Sequence, residues 1–253
     1  MFFEKIKLIW RGGARLEIVI AAALFTALAL CFWVSGIQLT SRDLLTALGS
    51  AVSTFIGAWF AFRFNSLKEG AVRLDREIIA GNLALSTLAE FWDRQKQYQI
   101  DIVKLYRGRD DAWFNLAIGS RIEWADLSFN RSDLAFLLLI SARSWQKITL
   151  EERRFRLLAQ RIDERDTLIL NEAWPKLVAA GMQVNRALPT AQLETLLGPS
   201  VVRRLQVTTE AIISHTDENV ASSLEAFDTL RNVLLKNYPG KKFINLDPTM
   251  PSD

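Results

Sequence analysis

Histidine, cysteine and clustered carboxylates are the side chains that most often carry chemistry, and this 253-residue chain is poor in the first two. His215 is its only histidine, so no site needing two imidazoles can be built within one chain. Asp217, two residues on, lies off the same face of a helix and cannot serve His215 as a base partner there. Cys31 is the only cysteine, which excludes an intrachain disulfide and any Cys/His metal cluster. Adjacent carboxylates occur at Asp110/Asp111, Glu151/Glu152 and Asp163/Glu164. Neighbours on a helix diverge and each pair has basic residues beside it, so all three read as solvated charge. No phosphate-binding glycine loop, nucleophile elbow or HExxH motif is present. The sequence predicts no catalytic residue, no cofactor and no bound metal, and hence a protein that is not an enzyme.

One spacing does stand out. Gly49, Ser53, Gly57 and Ala61 recur every fourth residue, which places four small side chains in one row of a helix, and Thr46, Ser50 and Thr54 make a hydroxyl row beside them. Small residues let helix backbones approach closely, and in lipid such packing replaces the missing hydrophobic drive. Two readings follow. In one, the row closes against residues 18–37, where Ala23 and Ala27 offer a smooth patch. In the other it packs between protomers while the hydroxyls face a polar lumen, and because one hairpin cannot enclose a pore, that reading requires a homo-oligomer.

The element that must position this row is the run 44–64, LLTALGSAVSTFIGAWFAFRF, in which Arg63 is the only charge. At about 1.5 Å per residue it matches a hydrocarbon core of roughly 30 Å. Residues 18–37 form a second run, without any charge, and only QLTSRD separates the two, so the sequence predicts a tight antiparallel transmembrane hairpin over 18–64, with Ser41 as N-cap of its second helix. Phe32, Trp33 and Trp59 fall where interfacial aromatic belts lie. Residues 1–17 read as an interfacial segment, with Phe2, Phe3, Ile6, Ile9 and Trp10 on one side and basic residues elsewhere.

Charge places the hairpin. Residues 1–64 hold six Lys/Arg and three Asp/Glu, leaving 25 of each for the remainder, so the net +3 sits wholly beside the expected spans. Basic residues flank both runs on the outer sides, which puts both ends of the chain in the cytoplasm of a multi-pass inner-membrane protein. A neutral remainder carries no broad electrostatic footprint for nucleic acid.

From Leu67 to Tyr106 an alternating 4,3 pattern (Leu67, Ala71, Leu74, Ile78, Gly81, Leu85, Leu88, Trp92, Gln95, Gln99, Ile102, Tyr106) predicts a long helix extending from the second span. RGRDD at 107–111 reads as a turn. Ser132 and Asp133 start an apolar segment, Leu134 to Ile140, expected as a buried core helix. Thr149-Leu150-Glu151-Glu152 reads as a capping box opening a charged helix to about Trp174, with Pro175 restarting it toward Leu188. Thr190 is expected as an N-cap, Gly198-Pro199 as a stop and restart, and a last helix from about Ser200 to Asn237. The expected organisation is all-α: a transmembrane hairpin, a cytosolic helical domain over 65–240, and a flexible tail over 241–253.

The exit TFIGAWFAFRFN followed by WADLSFNRSDLAFLLLI and EERRFRLLAQRIDERDTL resembles small bacterial two-span proteins of anti-phage defence, including the membrane effectors that accompany retrons. The resemblance lies in layout and assigns no catalytic or binding position. It implies an effector of abortive infection, a toxin held silent by a cytosolic protein or ribonucleoprotein partner and released to damage the inner membrane. Its alternative is a membrane-tethered helical scaffold or sensor that binds a protein partner without forming a pore.

Overall fold

The computed structural model describes Thr26 and residues 41–117, 127–181 and 189–246, with the side chains of 41–45 and 47–48 also outside the description. The expected interfacial segment 1–17, the first span 18–37 apart from Thr26, and residues 247–253 lie outside the described residues. Those described form helices and no strand. Two compact units divide the chain, 1–68 and 69–253.

Helix α1 is Ser41–Tyr98, 58 residues with no break at Gly70 or Gly81. In the first unit its side chains are exposed on every side: Val52, Phe55, Ile56, Trp59, Phe60, Phe62, Phe64 and Leu67 all lie in the open, and Phe60 stacks on Phe64 at 6.3 Å. Among the described residues no helix is long and apolar enough to cross a membrane. The described part of α1 therefore does not by itself supply the second span expected over 44–64. Of that expected run, the side chains of Leu44, Leu45, Ala47 and Leu48 lie outside the description.

In the second unit the 4,3 pattern is buried from Gly81 through Leu85, Leu88 and Trp92 to Gln95, whereas Leu67, Ala71 and Leu74 are exposed. Beyond Tyr98 a π-helical stretch, Gln99–Val103, adds a residue to the turn. Tyr98, just ahead of that stretch, and Val103, five residues on, are buried, whereas the expected Gln99, Ile102 and Tyr106 are half-buried. One turn, α2 (Lys104–Tyr106), then leads through the expected 107–111 turn, with Gly108 at φ 73°, into α3 (Ala112–Asn115).

Helix α4 (Phe136–Ile140) is a single turn. Leu134, Phe136 and Leu137 are buried as expected, but so short a helix can turn only one side inward, and Leu138 and Leu139 are exposed. Helix α5 (Ala142–Leu168) begins earlier than the expected capping box. Ser141 caps it, accepting the Ser144 N–H at 3.2 Å, while Thr149 is already mid-helix and donates to the Trp145 carbonyl at 2.9 Å. A second π-helical stretch, Ile169–Ala173, and α6 (Trp174–Ala179), with Pro175 in its first turn, follow. Helix α6 ends at Ala179 and Ala180 and Gly181 (φ 76°) form a turn, so the helix expected toward Leu188 stops there; residues 182–188 lie outside the described residues. Thr190 is the first helical residue of α7 (Thr190–Leu197), whose cap position is Pro189, so the expected Thr190 cap does not form. Gly198, at φ 82°, and Pro199 provide the expected stop and restart before α8 (Pro199–Asn237).

The main core gathers Leu85, Leu88 and Phe91 of α1, Phe155, Leu158 and Ile162 of α5, and Ile212, Phe227, Leu230 and Leu234 of α8. Phe91 stacks on Phe155 at 4.3 Å and meets Phe129 edge-on. A second cluster joins Trp113, Leu168, Ile169, Leu177, Leu193, Leu197 and Leu205. Residues 241–246, expected as part of a flexible tail, pack on the unit instead, with Phe243 buried.

Candidate functional site

The small and hydroxyl rows sit on α1 within the first unit. Gly49, Ser53, Gly57, Ala61, Thr46, Ser50 and Thr54 are all exposed. A Cβ added at Gly49 or Gly57 would meet nothing within 4 Å. The hydroxyls turn back on their own helix: Ser53 donates to the Gly49 carbonyl at 2.8 Å and Thr54 to the Ser50 carbonyl at 2.9 Å. These bonds satisfy the two O–H groups within their own helix.

Chemistry-bearing residues in the second unit are arranged unlike the sequence expectation. Glu151 and Glu152 are not solvated; each is only 3% exposed. Glu151 accepts from Arg154 at 2.8 Å and, on its other oxygen, from Ser222 at 2.8 Å and Ser223 at 3.4 Å of α8. Glu152 accepts from Arg156 at 2.7 Å and from Arg131 at 3.2 Å. The two carboxylates diverge as expected, one to α8 and one to the segment before α4. With all four oxygens held by donors, neither is placed to move a proton to or from a substrate. Glu164 likewise accepts from Gln160 and Arg161 on its own helix. Asp111 is held by Arg109 through two bonds, of 2.8 and 2.7 Å, and these keep its carboxyl down to about 2. Asp217 is taken by Arg107 and by Gln99 at 2.7 Å, and His215 is half-buried beside it in sequence.

The polar centre of the bundle is Arg165, 1% exposed. Its Nε–H donates to Thr209 at 3.0 Å, and its Nη2 donates to the carbonyls of Leu116 at 2.8 Å, Phe114 at 3.3 Å and Trp113 at 3.4 Å. The Asp166 carboxylate lies 3.6 Å from Nη1. Burial pulls the guanidinium pKa down and Asp166 and Tyr98 oppose that pull; burial pushes the Tyr98 phenol up. One planar fork thus fastens α3 and the residue that follows it to both α5 and α8. Sequence reasoning missed this residue, yet a signal exists. Ile148, Glu151, Phe155, Leu158, Ile162, Arg165 and Ile169 alternate at spacings of three and four, and all seven are buried, so Glu151 and Arg165 stand in phase with the apolar face.

Between α5 and α8 a surface groove of about 850 Å³ is lined by Arg161, Glu164, Glu172, Arg203, Arg204 and Val207, among others. Arg204 donates to both oxygens of Glu172 at 2.8 Å, so the charges in this groove balance one another in place. Among the described residues no group of His, Cys, Asp and Glu could hold a metal ion. No family model, curated protein or solved structure matches the chain.

Proposed function

We propose that the chain is an inner-membrane effector that oligomerises through its 18–64 hairpin and breaks down the membrane potential when a cytosolic protein or ribonucleoprotein partner releases it, in anti-phage defence. The observation that carries this reading is α1 between Gly49 and Phe64. There Val52, Phe55, Ile56, Trp59, Phe60, Phe62 and Phe64 are exposed around the helix, and the small row beside them is open. A helix with so broad an exposed apolar face calls for a surrounding of lipid or protein. Ser53 and Thr54, bonded to carbonyls of their own helix, reduce the cost of entering lipid despite their polarity. The layout resemblance to two-span defence proteins supports the effector role, and the Gly49/Ser53/Gly57/Ala61 row supports self-association over a lone hairpin.

Expression of the full chain without other phage-defence genes, with insertion verified and a reporter after Asp253 reporting the cytoplasm, should depolarise the inner membrane and stop growth. Unchanged potential at high expression would sink the effector. Exchanging 18–64 for an unrelated two-span hairpin separates it from the tethered scaffold: activity that survives the exchange belongs to the scaffold. Gly57→Leu should disturb packing in either case, whereas only a lumen predicts that Thr46, Ser50 and Thr54 govern ion leak.

A further inference from the structure

The chain beyond α8 doubles back onto the bundle. Gly240, at φ 79°, makes the turn after Tyr238 and Pro239, and residues 241–246 then run without regular structure between α8 and α1. The Ile244 N–H donates to Asn82 Oδ1 at 3.0 Å, and Asn82 Nδ2 reaches the Lys242 carbonyl at 3.5 Å. From the other side the Arg231 Nε–H donates to the Ile244 carbonyl at 3.1 Å. The Asn82 amide thereby offers the segment an acceptor and a donor, as a neighbouring strand would. Phe243 is the anchor: it is buried, with its ring 6.2 Å from that of Tyr238, whose hydroxyl donates to Glu77 at 2.9 Å.

The segment crosses a close helix contact. A Cβ on Gly81 would come within 3.0 Å of Leu234, so α1 and α8 meet there nearly backbone to side chain. Yet the segment itself is lightly held, because Lys241, Lys242, Ile244 and Asn245 are exposed and its hydrogen bonds lie at the surface. One buried aromatic ring, the half-buried Leu246 against the main core and a few wet hydrogen bonds stand against the entropy of ordering the whole segment.

We infer that residues 241–246 are a detachable strap that clamps residues 77–85 of α1 onto α8, and that its release loosens this helix pair while the rest of the bundle stays folded. The inference concerns the second unit alone and does not depend on the membrane reading. Hydrogen exchange on the full-length chain tests it. In the native protein the Ile244 amide should exchange about 100-fold faster than that of Leu230, through a local opening. Phe243→Ala should speed exchange over 77–85 by about tenfold, with 151–166 unchanged, and Asn82→Ala, which leaves the anchor in place, by about threefold. The strap is overturned if Ile244 exchanges as slowly as Leu230, if 77–85 are unmoved in both variants, or if the increase spreads evenly through 151–166. Should either variant fail to fold, the native Ile244 rate decides.

Discussion

Residues 49–64 of α1 and the whole of α5 both carry polar side chains among apolar ones, but they satisfy them in different ways. In α1, Ser53 and Thr54 bond four residues back along their own helix, a solution that needs no neighbour. In α5, Arg165 reaches Thr209 and the carbonyls around α3, and Glu151 reaches α8, each across a long stretch of sequence. The first arrangement suits a helix whose surroundings contribute no hydrogen bonds. The second ties separate elements into one arrangement, and it costs heavily when one member is removed, because the others are left buried and unpaired.

The largest break in this comparison should come from Arg165→Met, which fills the space but takes the donor from the Leu116 and Phe114 carbonyls and the positive charge from beside Asp166. A loss of about 3 kcal/mol is expected in denaturant unfolding of the full chain, read by tryptophan fluorescence. An unchanged midpoint would mean that Arg165 is incidental. A paired substitution sharpens the contrast. Thr209→Val leaves the Arg165 Nε–H without its acceptor and should cost about 1.5 kcal/mol, whereas Thr54→Val removes only a bond within one turn and should move the same unfolding midpoint by less than about 0.5 kcal/mol.

Glycines measure the surroundings in a second way. Gly70 has open space where a Cβ would sit, so Gly70→Ala should stabilise α1 by up to about 1 kcal/mol through helix propensity. At Gly81 the same methyl meets fully buried Leu234 at 3.0 Å, and crowding should outweigh the gain for a net loss of about 1 kcal/mol. Thermal denaturation that ranks Gly81→Ala above Gly70→Ala would contradict the packing described.

The smallest effect concerns Asp111, whose carboxyl is held at about 2 against an ordinary 3.8 by Arg109. A depressed folded value means that the pair contributes at neutral pH, begins to weaken as pH falls through about 3.8, and is lost below about 2. A carboxyl titration by NMR should give a midpoint near the lower figure, and one near the ordinary value would show that the 107–111 turn does not hold Asp111.

Much of the second unit was legible because its signals are local. The 4,3 pattern from Gly81 to Trp92, the Gly198-Pro199 restart and the end of α8 at Asn237 depend on neighbours in sequence, and each stands where it was read. The capping box at Thr149 failed because Ser141 had already opened α5, and a motif cannot show whether a helix has begun upstream. Glu151 and Glu152 were read as solvated because adjacent charges on a helix usually are. Their burial depends on Ser222, Ser223, Arg131 and the packing of α8, none of which is near them in the chain.

The sequence by itself determined the all-helical class, the concentration of net positive charge in residues 1–64, the single histidine and single cysteine, and the row of small residues on α1. Only the tertiary structure decided that Arg165 is the hub of the bundle, that the Glu151 and Glu152 carboxylates are held inside it, and that residues 241–246 lie across α1 and α8. The reason is physical: composition and periodicity act within a few turns of chain, but the state of a buried charge is fixed by whichever donors and acceptors the fold brings to it from far along the sequence.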